Sequence, residues 1–215
     1  MAFYDVYSLD DPDMLALVPR PVHALLVIIP ATDAWKKDRE AEDAGKGVYE
    51  GAGPDEPVLW LKQTIPCGCG LIGLLHCVFN GPAVDMIKPG SDLDDIRRRA
   101  IPLKMDDRAD VIAASDRLYE ASQIVAVKGD TAPLPEEAHD GLGQHFVAFV
   151  KANDGHLWEL EGGRKGPLDR GVLGEYEDAL SPKALSLGIK RVMDLQLAES
   201  GDVRFSVIAL APTQE

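Results

Sequence analysis

A chain of 215 residues with 46% hydrophobic content can bury one sizeable core and falls within the usual span of a single domain, here taken as residues 1–215. Its 22 basic and 36 acidic residues give a net charge of −14 and a pI near 4.7, which disfavours nucleic acid and anionic membrane and leaves basic partners electrostatically favoured. No apolar run reaches the roughly eighteen residues of a membrane span, and the start, MAFYD, lacks a basic stretch leading into an apolar one, so a soluble cytoplasmic or nuclear protein is expected.

Taken in chain order, residues 22–29 (VHALLVII) form a short β-branched run between Pro21 and Pro30 and predict a buried strand. Residues 32–44 (TDAWKKDREAEDA) open with Thr32 as a possible N-cap and predict a charged, mostly solvated helix. Glycines and prolines make residues 46–57 a loop. The almost wholly apolar CGLIGLLHCVF of residues 69–79 predicts a central buried helix, with Gly68 and Gly70 at its start. Residues 91–105 and 106–122 predict two more helices, the first capped by Ser91 with Asp92, Asp94 and Asp95 in its first turn. Residues 128–144 (KGDTAPLPEEAHDGLGQ) read as a long loop leading directly into His145. HFVAFV (145–150) and HLWELE (156–161) predict a β-hairpin with Asp154-Gly155 at its turn. Ser181-Pro182 then opens a helix running to about Ala198, and residues 203–210 close the chain as a strand. Strands on either side of a buried helix, with no repeat or linker between them, give one α+β domain.

Residues 62–76 (KQTIPCGCGLIGLLH) concentrate the chemistry, because they put Cys69 at the N-terminus of a buried helix. Unpaired amide N–H groups and the positive end of the helix dipole favour a thiolate there, and a histidinium can help bring a cysteine pKa into the range ~3.5–7.5. Gln63 offers a side-chain amide that can donate to an oxyanion developing near that sulfur. Taken alone, a cysteine at a helix start is more often buried and inert. Cys67, Cys69 and Cys77 are an odd, clustered set and a poor disulfide framework, which fits a reducing compartment. One C-x-C without a second pair is a weak zinc signal, so no metal and no other cofactor is expected. His76, about two turns beyond Cys69, reads as a core histidine, and His23, His139 and His156 as structural or solvated.

LKQTIPCGCGLIGLLH (61–76) resembles the active-site segment of ubiquitin C-terminal hydrolases, with Gly70, Ile72, Gly73, Leu74 and His76 in register with Cys69. YDVYSL, MLALVPRPVHALLVIIP, HFVAFV, GHLWELEG and RFSVIAL resemble further segments of that family, in the right order over nearly the whole chain. The resemblance implies a papain-like α+β fold with a central antiparallel sheet, flanking helices and a knotted backbone. It implies a cysteine-type ubiquitinyl hydrolase, acting as a monomer on ubiquitin or a ubiquitin-like protein and removing small adducts or short peptides from the C-terminal glycine. Cys69 is then the nucleophile, His145 its base, Gln63 an oxyanion-hole donor and Glu161 the third triad member. The loop before His145 is expected to cross above the site and filter leaving groups by size. The alternative is a catalytically weak ubiquitin-binding module.

Three departures from the family pattern bear on these expectations. Cys67 replaces the usual Asn, either as a tolerated small residue or as a reversible redox partner of Cys69. Glu161 stands where the family has Asp; Glu159, two residues earlier, faces the same side of the strand and can in principle reach His145, but GHLWELEG aligns Glu161 with the catalytic acid. YDVYSL begins almost at Met1, so the family's N-terminal helix is expected to be missing, either through a truncated gene model or with weaker ubiquitin binding and lower stability than its relatives.

Overall fold

In a computed structural model describing residues 1–129, 143–199, 201 and 204–214, the chain runs β1 (Ala2–Asp5), α1 (Pro12–Leu15), β2 (Ala24–Pro30), α2 (Asp33–Ala44), α3 (Cys69–Val78), a short 3₁₀ helix (Gly81–Met86), α4 (Asp92–Ala100), α5 (Met105–Ala113), α6 (Asp116–Ala126), β3 (Gln144–Lys151), β4 (His156–Leu160), β5 (Leu168–Val172), α7 (Pro182–Leu187), α8 (Ile189–Glu199) and β6 (Ser206–Ala211). The strands make one antiparallel sheet in the order β1-β6-β2-β3-β4-β5. Among the described residues no helix is long and apolar enough to cross a membrane.

The continuous apolar run of β2 follows from its place at the centre of a sheet covered on both faces. Leu25, Val27 and Ile29 point to one side, where they pack with Trp35 of α2, Leu185 of α7 and Val192 of α8. Ala24 and Leu26 point to the other, against Cys77 of α3 and Leu160 of β4. Beyond α3 a third cluster joins Ile72, Leu75 and Phe79 to Ile96 and Ala100 of α4 and Ile112 of α5. Each fully buried Leu, Ile or Phe contributes about 1.5–3 kcal/mol, so the sheet's middle strands and α3 form the rigid part of the fold. Gly73 sets how close α3 comes to that sheet: a Cβ there would lie 2.5 Å from Leu26 Cδ1 and 3.6 Å from Phe146 Cβ.

The caps expected at Thr32, Ser91 and Ser181 all accept backbone N–H groups at their helix starts. The hairpin forms as expected, with Gly155 at φ 81° and Lys151 opposite Leu157. Four expectations need correction. The two helices foreseen over residues 91–122 are three, because Pro102 has no N–H to continue α4 and Ser115 caps a new helix by accepting from Leu118 N–H. The helix after Ser181 breaks at Gly188, where a Cβ would press within 2.9 Å of the Phe149 ring, and resumes as α8. The edge strands β1 and β5 and the 3₁₀ helix were not foreseen. Finally, α2 is docked rather than mostly solvated, for reasons that lie in its ion pairs. Most of the loop expected over residues 128–144, including His139, lies outside the described residues, as does Val203 of the expected closing strand.

Just before α3 the chain turns through Cys67, whose φ of 54° is the left-handed conformation that side chains other than Asn, Asp and His rarely adopt. The turn closes with Gly68 N–H donating to the Ile65 carbonyl at 3.0 Å. Cys67→Gly is therefore expected to raise the unfolding free energy by about 1 kcal/mol. Calorimetry should read this as a melting temperature higher by about 2–4 °C.

Candidate active site

Residues 58–61, which follow the loop at residues 46–57, are buried but belong to no strand, so their backbone needs partners from elsewhere. Side chains supply them. Asn80 accepts from Leu59 N–H at 2.6 Å and donates to the Leu59 carbonyl at 3.1 Å, while His76 Nε2 accepts from Leu61 N–H at 2.9 Å. Burial pushes His76 down to about 3, so it stays neutral and keeps that lone pair available. The fully buried Arg108 donates to the Trp60 carbonyl at 3.0 Å, and Trp60 Nε1 donates to the Glu161 carbonyl at 3.2 Å. His76 is thus a core histidine that fixes the approach to Gln63. Gln63 N–H then donates to the Gly162 carbonyl at 2.8 Å. Gly162 allows this contact, since a Cβ on it would lie 2.9 Å from both Gln63 Cβ and Gln63 N.

Cys69 is the first residue of α3, and Gly68 at the N-cap provides no side-chain acceptor, so the first-turn N–H groups face the thiol's neighbourhood uncapped. His145 enters from the start of β3, opposite Ile29 of β2. Its Nε2 lies 2.7 Å from Glu161 Oε1, which leaves Nδ1 for its hydrogen bond with the Cys69 side chain. Burial opposes a thiolate at Cys69, but the His145 hydrogen bond, backbone N–H groups at Phe146 and Gly70 and the His145 charge outweigh it and lower the thiol's pKa. Burial likewise opposes an imidazolium at His145, yet hydrogen bonds to Cys69 and Glu161 and their charges lift it to about 9. The two shifts favour the same state, a thiolate beside an imidazolium.

Glu161 lies just beyond the end of β4 with its side chain wholly buried. Burial alone would favour the neutral acid; His145, Arg39 and the Gly163 N–H hold it below the usual carboxylate range. Its Oε1 accepts from Gly163 N–H at 2.7 Å as well as facing His145, and its Oε2 lies 3.1 Å from Arg39 Nη1. Glu159 goes elsewhere, pairing with Arg164 at 3.2 Å and Arg170 at 2.7 Å. Those arginines also hold Glu42 and Asp43 of α2, and Arg191 of α8 holds Asp38. The stripe Trp35, Asp38, Arg39, Glu42, Asp43 has the i, i+3, i+4 spacing of a docked helix face, written mostly in charged residues. This is why α2 reads as solvated from composition.

The remaining sequence candidates lie apart from this cluster or take no visible part in it. Cys67 is exposed outside the helix, and Cys77 is buried on α3, where burial pushes its thiol well up. His156, at the start of β4, pairs with Asp169 of β5 at 2.9 Å, and His23 is half-buried just before β2. Among the described residues no group of three or more His, Cys, Asp or Glu is placed to hold a metal ion. Arg39 and Trp35, whose ring centroid is 5.3 Å from that of His145, were not foreseen; the i, i+4 step from Trp35 to Arg39 was the signal.

A family model described as ubiquitin carboxyl-terminal hydrolase, family 1, matches residues 1–194. Ubiquitin carboxyl-terminal hydrolase 3 of Arabidopsis thaliana is 31% identical over 208 residues, covering 96% of this chain and 82% of its own. Ubiquitin carboxyl-terminal hydrolase isozyme L1 of Homo sapiens is 31% identical over 211 residues, covering 97% and 86%. Among solved structures, the Trichinella spiralis UCH37 catalytic domain bound to ubiquitin vinyl methyl ester superposes with a TM-score of 0.68 at 20% identity, covering 99% of this chain and 85% of that one. With a family match over most of its length and relatives above 30% identity, the chain belongs to the ubiquitin carboxyl-terminal hydrolase family.

Proposed function

We propose that this protein is a thiol hydrolase that releases small adducts or short peptides from the C-terminal glycine of ubiquitin, with Cys69, His145, Glu161 and Gln63 as its working residues. The observation that carries the reading is the continuous chain from Cys69 through His145 to Glu161, in which thiol and imidazole are shifted in opposite directions. The Cys69 thiolate attacks the glycine carbonyl, and the resulting oxyanion receives the Gln63 amide and a first-turn N–H of α3. His145 Nδ1 then passes its proton to the departing amine, leaving a thioester. Water attacks that thioester with His145 as base, and Cys69 leaves as thiolate. Glu161 keeps the imidazole in the tautomer and orientation this exchange needs.

The pH profile of kcat/KM on a ubiquitin C-terminal fluorogenic amide tests this reading. His145 has a pKa raised from 6.5 to about 9, so its imidazolium persists through neutral pH and is lost as pH climbs through about 9. Activity is therefore expected to hold across neutral pH and fall on a basic limb near 9. Ubiquitin binding with no turnover at any pH would favour the binding-module alternative instead.

A further inference from the structure

We propose that Arg39 is a positioning residue for this reaction, fixing Glu161 in the pose from which its carboxylate orients His145. The inference rests on the roles given above to Cys69, His145 and Glu161. A glutamate reaches about 1.5 Å further than an aspartate and has one more torsion to restrain. Its Oε1 is shared by His145 Nε2 and Gly163 N–H, both at 2.7 Å, and that bond pair alone leaves Oε2 buried and anionic. Arg39 Nη1 meets Oε2 at 3.1 Å.

Arg39 is itself held from two directions. Its guanidinium lies 5.1 Å over the Trp35 ring, and the same indole packs against His145, so imidazole, carboxylate, guanidinium and indole form a closed ring of four contacts. Its carbonyl accepts from Arg164 Nη1 at 3.3 Å, and Arg164 also binds Glu42, Asp43 and Glu159. This ties the turn of α2 that bears Arg39 to β4, just beyond which Glu161 lies. Room for the arrangement comes from Gly163, where a Cβ would stand 2.9 Å from Glu161 Oε1 and 3.3 Å from Arg39 Nη1.

The charged and titratable groups facing Glu161 are His145 within the site, Arg39 from α2, Arg164 from the turn after β4 and the neutral His76 from α3. Arg39 is the one among the described residues bonded to Oε2. Without it, the buried carboxylate loses a counter-charge, ionises at higher pH and is free to turn away from the imidazole.

The test compares Arg39→Met, which keeps an apolar stem on Trp35, in the wild-type and Glu161→Ala backgrounds, using the same fluorogenic amide. In the wild-type background kcat should fall about ten- to a hundredfold with KM within about twofold, and the acid limb of kcat/KM should move to higher pH. Arg39→Lys should recover part of the loss. In the Glu161→Ala background the substitution should change nothing further. Wild-type kcat in Arg39→Met, or an equal loss in both backgrounds, would overturn the proposal. If thermal melting shows Arg39→Met unfolded, Arg39→Gln carries the same comparison. Turnover that survives Cys69→Ser would instead mean that the reading of the site has failed, independently of Arg39.

Discussion

Cys69→Ser is expected to lower kcat/KM on a ubiquitin C-terminal fluorogenic amide by ~10⁴-fold or more, while Cys67→Ser retains most of the activity. The two thiols are only two residues apart, but the start of α3 falls between them. Cys69 is the first helical residue, hydrogen-bonded to His145 and to backbone N–H groups at Phe146 and Gly70. Cys67 projects from a left-handed turn into solvent. A serine at position 69 keeps the geometry but replaces an ionised sulfur with a hydroxyl that stays protonated beside the imidazole. Equal loss in both variants would show that the turn, rather than Cys69 alone, carries the chemistry.

The two buried glutamates of the hairpin should separate activity from stability. Glu161→Gln puts an amide opposite His145 Nε2 and removes the charge that favours the imidazolium, so turnover is expected to fall by about 10²–10⁴-fold with the melting temperature changed far less. Glu159→Gln leaves Arg164 and Arg170 short of a buried counter-charge and should cost about 3 kcal/mol of stability, with kcat within a few-fold of wild type where the protein is folded. Denaturant unfolding and steady-state kinetics on both variants check the pair. Wild-type turnover in Glu161→Gln would reduce the triad to a Cys69–His145 dyad.

Much of the framework was legible because its signals are local. The run at residues 22–29 is apolar at every step since β2 is covered on both faces, and Asp154-Gly155 specifies its own turn through Gly155 at φ 81°. Edge strands were harder: β5 is LDRGV, with a bulge between its pairings to Leu157 and Trp158 and only Leu168 fully buried. Helix breaks at Ser115 and Gly188 depend on a cap and a ring contact that composition does not announce. In the site, Cys69 at a helix start and Gln63 as a nearby amide donor could be read from pattern, whereas the parts of His145 and Glu161 came from resemblance to a family. Arg39 escaped both routes, because its partners are 122 residues away at Glu161 and one turn away at Trp35 in a helix that looks solvated. The buried stretch at residues 58–61 was equally silent, since His76 of α3, Asn80 just beyond it and Arg108 of α5 satisfy its backbone in place of a neighbouring strand.

Reaction with ubiquitin vinyl methyl ester, followed by peptide mapping of the adduct, tests the central claim most directly, because only an activated thiol seated beside a bound ubiquitin C-terminus forms the bond. The account predicts one covalent ubiquitin per chain, attached at Cys69, and no adduct in Cys69→Ser. An adduct mapped to Cys67, or a wild-type protein that binds ubiquitin and forms no adduct, would contradict it.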